Sequence, residues 1–483
     1  IVGFYLLRDD KLSLKKLNIS DKAAKIIVIS FGVLFLLFVG GMTTFRYLTY
    51  STPGFDFGIF AQMFHNMKES FLPMTTIERD GLLSHFAVHI SPIFYLLLPG
   101  YCIFQSPIYL QIMQALILAS AVIPLFLLAK HFNLSNKAII CVCGAFCAFP
   151  ALMGGCFYDI HENKFLTPLL LWLFYFLEKN KFLGVYIFSF LTLMVKEDAA
   201  IYVATIALFI FFCKKKYKHG AIIFVASMAY FFFAVAYLNR FGDGAMTGRW
   251  GNFIPDESMG LFGMVKTVLL NPLYLISQSF TSEKIIFILL MLIPVMFLPL
   301  FSKKLSQLLL LLPFLVINLM PNYLYQHSID FQYTYGVTAI FFYLVVVNLN
   351  EIKTPEIKKY LLAGMLISSC LLCTSRLSTK VRYAADFVKN FDENAAISAA
   401  LSEIPDDASV KTTTFFTANL ANRSELYEIS SEHQTQYVVF DLRKGRREET
   451  LNDDIMAYKE LGYEQIEFEK DLVLVLKYNN EPD

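Results

Sequence analysis

Apolar stretches close to the length of a membrane-spanning helix recur from Ile26 to Thr374, and they constrain this chain more than any motif does. The hydrocarbon core of a bilayer is about 30 Å thick, so a spanning helix needs about 20 mostly apolar residues. Charged residues make up only 17% of the sequence, against about 25% in an ordinary soluble protein. Beyond residue 380 the composition turns mixed and polar. These patterns predict an α-helical polytopic membrane protein over residues 1–379 and a soluble α/β domain over residues 380–483. The net charge of +1 gives no reason to expect a nucleic-acid partner. The eight cysteines lie in or beside apolar stretches and none falls in the tail, so no disulfide framework is expected. Cys370 and Cys373 form a CxxC inside a helix-like apolar run, which reads as packing. The chain opens on Ile1, so its native start is expected upstream, and the polar lead from Lys11 to Lys25 is too long for a signal peptide.

Sidedness follows from the positive charges, which concentrate in cytoplasmic loops. Basic clusters occur at Lys15/Lys16/Lys22/Lys25, Lys130/Lys137, Lys179/Lys181, Lys214/Lys215/Lys216/Lys218, Lys303/Lys304 and Lys353/Lys358/Lys359. If all are cytoplasmic, an even number of crossings separates each neighbouring pair. Between Lys25 and Lys130, the short run 91–104 contains Pro92, Pro99 and Gly100; it is expected to be an interfacial or re-entrant segment on the outer side. Between Lys181 and Lys214 lie 32 mostly apolar residues. As one helix they would span about 48 Å, with Lys196-Glu197-Asp198 buried mid-membrane at a cost of about 2.5–3.5 kcal/mol per charge. Two short helices meeting at that triplet avoid both problems. The remaining spans pair as 138–156 with 165–178, 220–238 with 284–301, and 305–320 with 331–349. A last span at 360–375 places the tail outside the cytoplasm. The total is about eleven spans in a multi-pass protein of the cell membrane.

This arrangement gathers the chemically versatile residues in the outer loops 45–90, 157–164 and 239–283, with Lys196-Glu197-Asp198 at the mouth. Asp56 stands in Gly54-Phe55-Asp56-Phe57-Gly58. A carboxylate in so apolar a setting suits a general base or a metal ligand, or is a turn residue beside Pro53. His85 and His89 are four apart, so one helical face would carry both. They could bind phosphate, ligate a metal or shuttle protons, or sit at the interface without a role. Asp159, His161 and Glu162 supply three ligand types in four residues, at a spacing that matches no strong metal motif. Ionisable residues at membrane depth are functional candidates. Lys196 could pair with phosphate while Glu197 and Asp198 orient partners, or the triplet is a solvated loop. Arg240 and Arg249 are further candidate cations.

In the tail, the pattern predicts helices at 387–404 and 449–461 and strands at 410–414, 437–441, 463–468 and 472–478. No Gly-rich phosphate loop or nucleophile motif is present. The domain is expected to help bind an acceptor, to cover an active site, or to serve structure alone.

Phe55-Asp56-Phe57-Gly58-Ile59-Phe60-Ala61-Gln62, then His85-Phe86 and His89, Tyr158-Asp159-Ile160-His161-Glu162 and Lys196-Glu197-Asp198 together resemble a widespread family of uncharacterised bacterial and archaeal membrane proteins. The segments Ile404-Pro405 through Arg423 and Tyr437 to Asp441 are also similar to it. That family in turn resembles the GT-C glycosyltransferases, which include protein mannosyltransferases and the aminoarabinose transferases of lipid A. The resemblance implies a sugar donor linked to polyprenyl phosphate, bound from the membrane, and an acceptor hydroxyl on the extracytoplasmic side. It implies Asp56 as the catalytic-loop acid, here flanked by two phenylalanines where mannosyltransferases carry an acidic pair, and Asp159 as the acid of the second outer loop. The departing lipid phosphate needs cations, for which Lys196, His85, His89, Arg240 and Arg249 are the candidates. His161, Glu162, Glu197 and Asp198 are candidate supporting residues or ligands of a divalent ion, Mg or Mn. A transporter or flippase, or a scaffold with an external domain, is the alternative. Transporters carry internal repeats, and no repeat relates the two halves here.

Overall fold

The computed structural model describes residues 18–244, 246–445, 451–469 and 471–479. Lys15 and Lys16, and the first residues of the helix expected at 449–461, lie outside them. The described residues form two compact units. One comprises those up to Gly40, with Val88–Phe94 and Gln114–Thr379; the other comprises Gly41–Ala87, Tyr95–Met113 and the chain from Lys380 onward. The tail therefore packs as one body with the segments that follow the first apolar helix.

Among the described residues five helices are long and apolar enough to cross a membrane: Asp21–Leu48, Pro107–His131, Tyr217–Phe241, Gln332–Glu351 and Pro355–Lys389. Two bent pairs bring the number to seven: Asn136–Cys147 with Pro150–Tyr158, and Gly260–Leu270 with Pro272–Ser279, the latter bent by 104°. Phe182–Leu193 and Ala199–Phe212 are shorter apolar helices. They replace the single long helix that the 32-residue run would otherwise make, and they break at Met194–Asp198, where the charged triplet falls. The second bent pair falls in the stretch 239–283, which was expected to be loop. The apolar run 305–320 is a mixture of 3-10 and π turns rather than a plain α-helix.

In the first unit, Tyr335–Glu351 is buried along nearly its whole length. By contrast Tyr217–Phe241 leaves Val225, Phe232 and Phe233 exposed, as expected of a helix that faces lipid. Near the basic loops, Lys214 Nζ donates to both oxygens of Glu178 at 2.7 and 2.8 Å, and the Tyr343 hydroxyl donates to the same carboxylate.

The second unit is built on a five-stranded sheet. Its strands are β3 (Val410–Thr412), β4 (Leu426–Glu428), β5 (Tyr437–Asp441), β6 (Tyr463–Glu469) and β7 (Val473–Tyr478), in the order β4-β3-β5-β7-β6. A separate two-residue pair, β1 (Met74–Thr75) and β2 (Leu83–Ser84), is antiparallel. β3 runs parallel to β4 and β5, while β7 is antiparallel to β5 and β6. Val410, Val439 and Val475 share a core with Ile59 and Ile77, so the helix Gly54–Ser70 covers one face of the sheet. Gly54 and Gly58 permit that approach: a Cβ on either would come within 2.3 or 2.8 Å of Thr417 atoms. Asp441 pairs with Arg443 at 2.6 Å, and the same guanidinium donates to the carbonyls of Thr49 and Tyr50 at 3.1 and 2.8 Å.

Candidate functional site

Two breaks in the first unit supply a nest of buried charge. The first runs from Pro150–Gly154 through a 3-10 turn, Gly155–Tyr158, to a second one, Glu162–Phe165. Gly154 and Gly155 fit here because a Cβ would meet the Ile329 carbonyl at 2.3 Å and the Tyr335 hydroxyl at 2.8 Å. Between the turns, Asp159 takes φ 67° and ψ −175°, a region that L-residues rarely occupy at a cost of about 1–3 kcal/mol. The fully buried Lys164 stabilises this reversal, donating from Nζ to the Gly155 carbonyl at 3.3 Å and to that of Asp159. His161 stacks on Tyr158, ring centroids 5.3 Å apart, and Tyr158 in turn meets Phe331.

The second break is Met194–Asp198. Its carbonyl at Met194 accepts from the Ile93 amide at 2.9 Å. Lys196 and Glu162 form an ion pair of 2.8 Å in which the side chains are 4% and 1% exposed. Glu197 holds His89: the ring Nδ1 lies 2.9 Å from Oε1, and the Ile90 amide donates to Oε2 at 3.2 Å. Asp198 stands at the start of Ala199–Phe212. Arg249 lies over the rings of Tyr323 and Tyr333, at 4.7 and 5.3 Å, and the buried Tyr333 also feels the charges of Lys196, Glu162 and Asp198.

The electrostatics follow from this packing. Burial disfavours the Glu162 carboxylate, but Lys196, His161 and His89 outweigh it and hold the acid well below its ordinary range. Burial likewise opposes charge on Lys196, and Glu162, Glu197 and Asp198 overcome it, raising the ammonium above its usual value. His161 is pushed down to about 3, first by burial and then by Lys164. Burial, then Lys196, also lowers His89. Asp198 moves the other way, up to about 6: burial raises it, Lys196 and Arg249 oppose, and Glu197 and Glu162 add to the rise. Among the described residues, Glu162 Oε2, Asn163 Oδ1 and Asp198 Oδ1 are buried without a hydrogen-bond partner.

The nest thus brings together His89, Asp159, His161, Glu162, Lys196, Glu197, Asp198 and Arg249. Lys164 and Tyr333 join it without having been singled out from the sequence: Lys164 lies one residue past the Asp-Ile-His-Glu-Asn run, and Tyr333 begins an apolar helix. Arg240 is exposed at the end of Tyr217–Phe241 with its guanidinium over the Phe241 ring. Glu162 is matched to the Lys196 ammonium and Glu197 to the His89 imidazole. Among the described residues no group of three or more His, Cys, Asp and Glu side chains is placed to hold a metal ion.

In the second unit, Asp56 is half-buried in the first turn of Gly54–Ser70, where the helix dipole favours a carboxylate. His85 is buried, with Nδ1 2.8 Å from Glu78 Oε2 and its ring edge-on to Phe60. His85 and His89 do not share a helical face. His85–Ala87 is a single 3-10 turn, and Pro92 keeps the residue before it out of the helical region. His85 engages Glu78 in one unit and His89 engages Glu197 in the other.

The fold is similar to that of ArnT from Cupriavidus metallidurans in the apo state, with a TM-score of 0.50 at 9% identity, over 91% of this chain and 97% of that one. The crystal structure of the same protein bound to undecaprenyl phosphate matches with a TM-score of 0.49, at the same identity and coverage. No curated protein matches the sequence. The family described as "Predicted membrane protein (DUF2079)" matches residues 46–474, and the chain belongs to that family.

Proposed function

We propose that this protein is a membrane glycosyltransferase that moves a sugar from a polyprenyl-phosphate donor to an acceptor hydroxyl on the extracytoplasmic side. The observation that carries this reading is the fold shared with ArnT along nearly the whole of both chains, ArnT being a protein that binds undecaprenyl phosphate. An apolar groove of about 430 Å³ in the first unit, with Phe280, Ile288, Leu292, Leu308 and Leu319 in its walls, is suited to an isoprenoid chain. The next residues along the chain, Thr281, Ser282, Glu283 and Lys284, line a polar cavity with Asn322 and His327, the Glu283 carboxylate lying 3.9 Å from the His327 ring. That succession of apolar and polar lining matches a lipid with a charged head.

In this reading the acceptor oxygen attacks the anomeric carbon, the bond from that carbon to the phosphate oxygen breaks, and the polyprenyl phosphate leaves with the electron pair. Asp56 takes the acceptor proton. Arg249 and Lys196 supply positive charge to the departing phosphate. Lys196 already faces Glu162, so Arg249, whose guanidinium rests on two tyrosine rings, carries more of that role. His89 and His85 assist through the ring nitrogens that their carboxylate partners orient, and Arg240 remains a candidate for capturing the headgroup from its exposed position. Asp159, His161, Glu162, Glu197 and Asp198 keep the nest polar and fixed. About eleven spans, with the tail on the outer side, complete the proposed arrangement.

The test is transfer by purified protein from radiolabelled polyprenyl-phosphate pentoses and hexoses, with membrane extract as acceptor. Wild type is expected to transfer label, and Asp56→Asn to lower the rate by about 10²–10⁴-fold. Unchanged transfer in Asp56→Asn removes its assignment as base. Failure of every donor favours transport.

A further inference from the structure

The second unit contains a polar cavity of about 430 Å³ that none of these roles uses. His65, Lys68 and Glu69 reach it from the last turns of Gly54–Ser70, and Tyr101 and Gln105 from the segment Tyr95–Met113. Asp406, Asp407, Asn422 and Ser424 come from the loops that precede β3 and β4.

Buried groups hold these walls in place. Arg423 donates to the carbonyls of Leu420, Ala408 and Pro405 at 2.7, 2.9 and 3.1 Å. Gln62 Nε2 donates to the carbonyls of Ser424 and Arg423 at 3.0 and 3.3 Å. The two loops and the helix are thereby tied together before any ligand arrives, which lowers the cost of binding.

The side chains that remain define the ligand. Lys68 Nζ is engaged by Glu69 at 2.6 Å and by Gln105 Oε1 at 2.9 Å. The Tyr101 hydroxyl donates to Asn422 Oδ1 at 3.4 Å, leaving the Asn422 amide nitrogen as a donor. Among the described residues no protein hydrogen bond engages the side chains of Asp406, Asp407 or Ser424. Burial, then the Lys68 ammonium, holds His65 below its ordinary range, so its imidazole is neutral near pH 7. The cavity therefore offers carboxylate acceptors, an amide donor, a hydroxyl and a neutral ring, while its one lysine is already matched and the Arg423 guanidinium behind the wall is met by the charges of Asp406 and Asp407. An anion would meet Asp406, Asp407 and Glu69. A sugar, whose hydroxyls each donate and accept, is matched by all of these groups, and hydrogen bonds to the carboxylates are the strong kind. The volume lies within the range of about 300–1,000 Å³ typical of small-molecule sites.

We propose that this cavity is a saccharide-binding site that takes neutral or amino sugars and rejects anionic ones. The proposal concerns equilibrium binding and goes beyond the transfer reaction.

Saturation-transfer NMR on the full chain in nanodiscs tests it, with D-glucose, D-glucosamine, N-acetyl-D-glucosamine, D-glucuronate and inorganic phosphate as probes. The three neutral or amino sugars are expected to bind in the millimolar range, and glucuronate and phosphate not to bind. Asp406→Asn combined with Asp407→Asn is expected to weaken glucosamine about tenfold, a change of about 1.4 kcal/mol, and Asn422→Ala to weaken all three sugars. A thermal midpoint equal to wild type shows that each variant folds. Should the double variant shift that midpoint, Asn422→Ala with Ser424→Ala carries the comparison. Absence of sugar binding by wild type, equal binding by the variants, or a preference for glucuronate or phosphate overturns the site. No lipid donor is present, so a failure here leaves the transfer reaction untouched, and a failure of transfer leaves this site untouched.

Discussion

Lys196 and Glu162 meet at 2.8 Å with almost no exposure, and a pair cut off from water in this way depends on both partners. Replacing one leaves the other charged and alone, at a cost of about 3–5 kcal/mol. Glu162→Gln is therefore expected to lower the thermal midpoint sharply. Glu162→Leu combined with Lys196→Met is expected to recover most of that loss without recovering transfer. A midpoint unchanged in Glu162→Gln contradicts the pair's structural weight. Asp198 sets a pH dependence of opposite origin. Its carboxyl lies at about 6 in the folded protein, against about 3.9 in an unfolded chain. The protonated acid is thus favoured by folding. Its contribution is fully present below about pH 4 and is lost as pH rises through about 6. Unfolding midpoints compared between about pH 5 and pH 7 should fall more steeply in wild type than in Asp198→Asn; parallel profiles contradict the assignment. At this scale the triplet Lys196-Glu197-Asp198 was legible because charge inside an apolar run is costly. Its partners were less so: that Lys196 would meet Glu162 and that Glu197 would meet His89 depends on tertiary packing. The i, i+4 spacing of His85 and His89 misled because it presumes a helix, whereas a three-residue turn carries only the first of them.

Elements were read best where length and polarity disagreed. The 32 residues between Lys181 and Lys214 had to divide, and they divide into Phe182–Leu193 and Ala199–Phe212. In the tail, the patterned strands match β5, β6 and β7, while the three-residue β4 in a polar stretch carries too little alternation to be seen. Composition reports burial and not hydrogen-bond period, so the 3-10 and π turns of the apolar run 305–320 escape any apolar count. The seating of Gly54–Ser70 on the sheet gives an element-scale prediction. A methyl at Gly58 would lie 2.8 Å from Thr417 Cγ2, and overpacking of this kind costs about 1–3 kcal/mol. Gly58→Ala should destabilise by that amount in chemical unfolding, and adding Thr417→Ser, which removes the obstructing methyl, should restore much of it. Equal loss in the single and double variants contradicts close packing at this point.

At the scale of the molecule, composition separated a membrane body from a polar tail, and the fold similarity extends along 91% of the chain. What composition could not convey is that residues 41–87 and 95–113 belong with the tail, since they carry apolar stretches of their own. Sidedness is testable in intact cells after replacement of the native cysteines. Glu403→Cys, on an exposed residue of the tail, is expected to react with a membrane-impermeant maleimide, and Lys215→Cys, in an exposed basic turn, only after permeabilisation. The reverse pattern contradicts the topology. The most direct measurement of the central claim is donor cleavage by the protein reconstituted in liposomes, followed by mass spectrometry of the lipid. Glycosyl transfer predicts that polyprenyl phosphate accumulates in step with a glycosylated acceptor, and that Asp56→Asn suppresses both. Intact polyprenyl-phosphate sugar after incubation with every pentose and hexose donor, or movement of the uncleaved donor between leaflets, contradicts it.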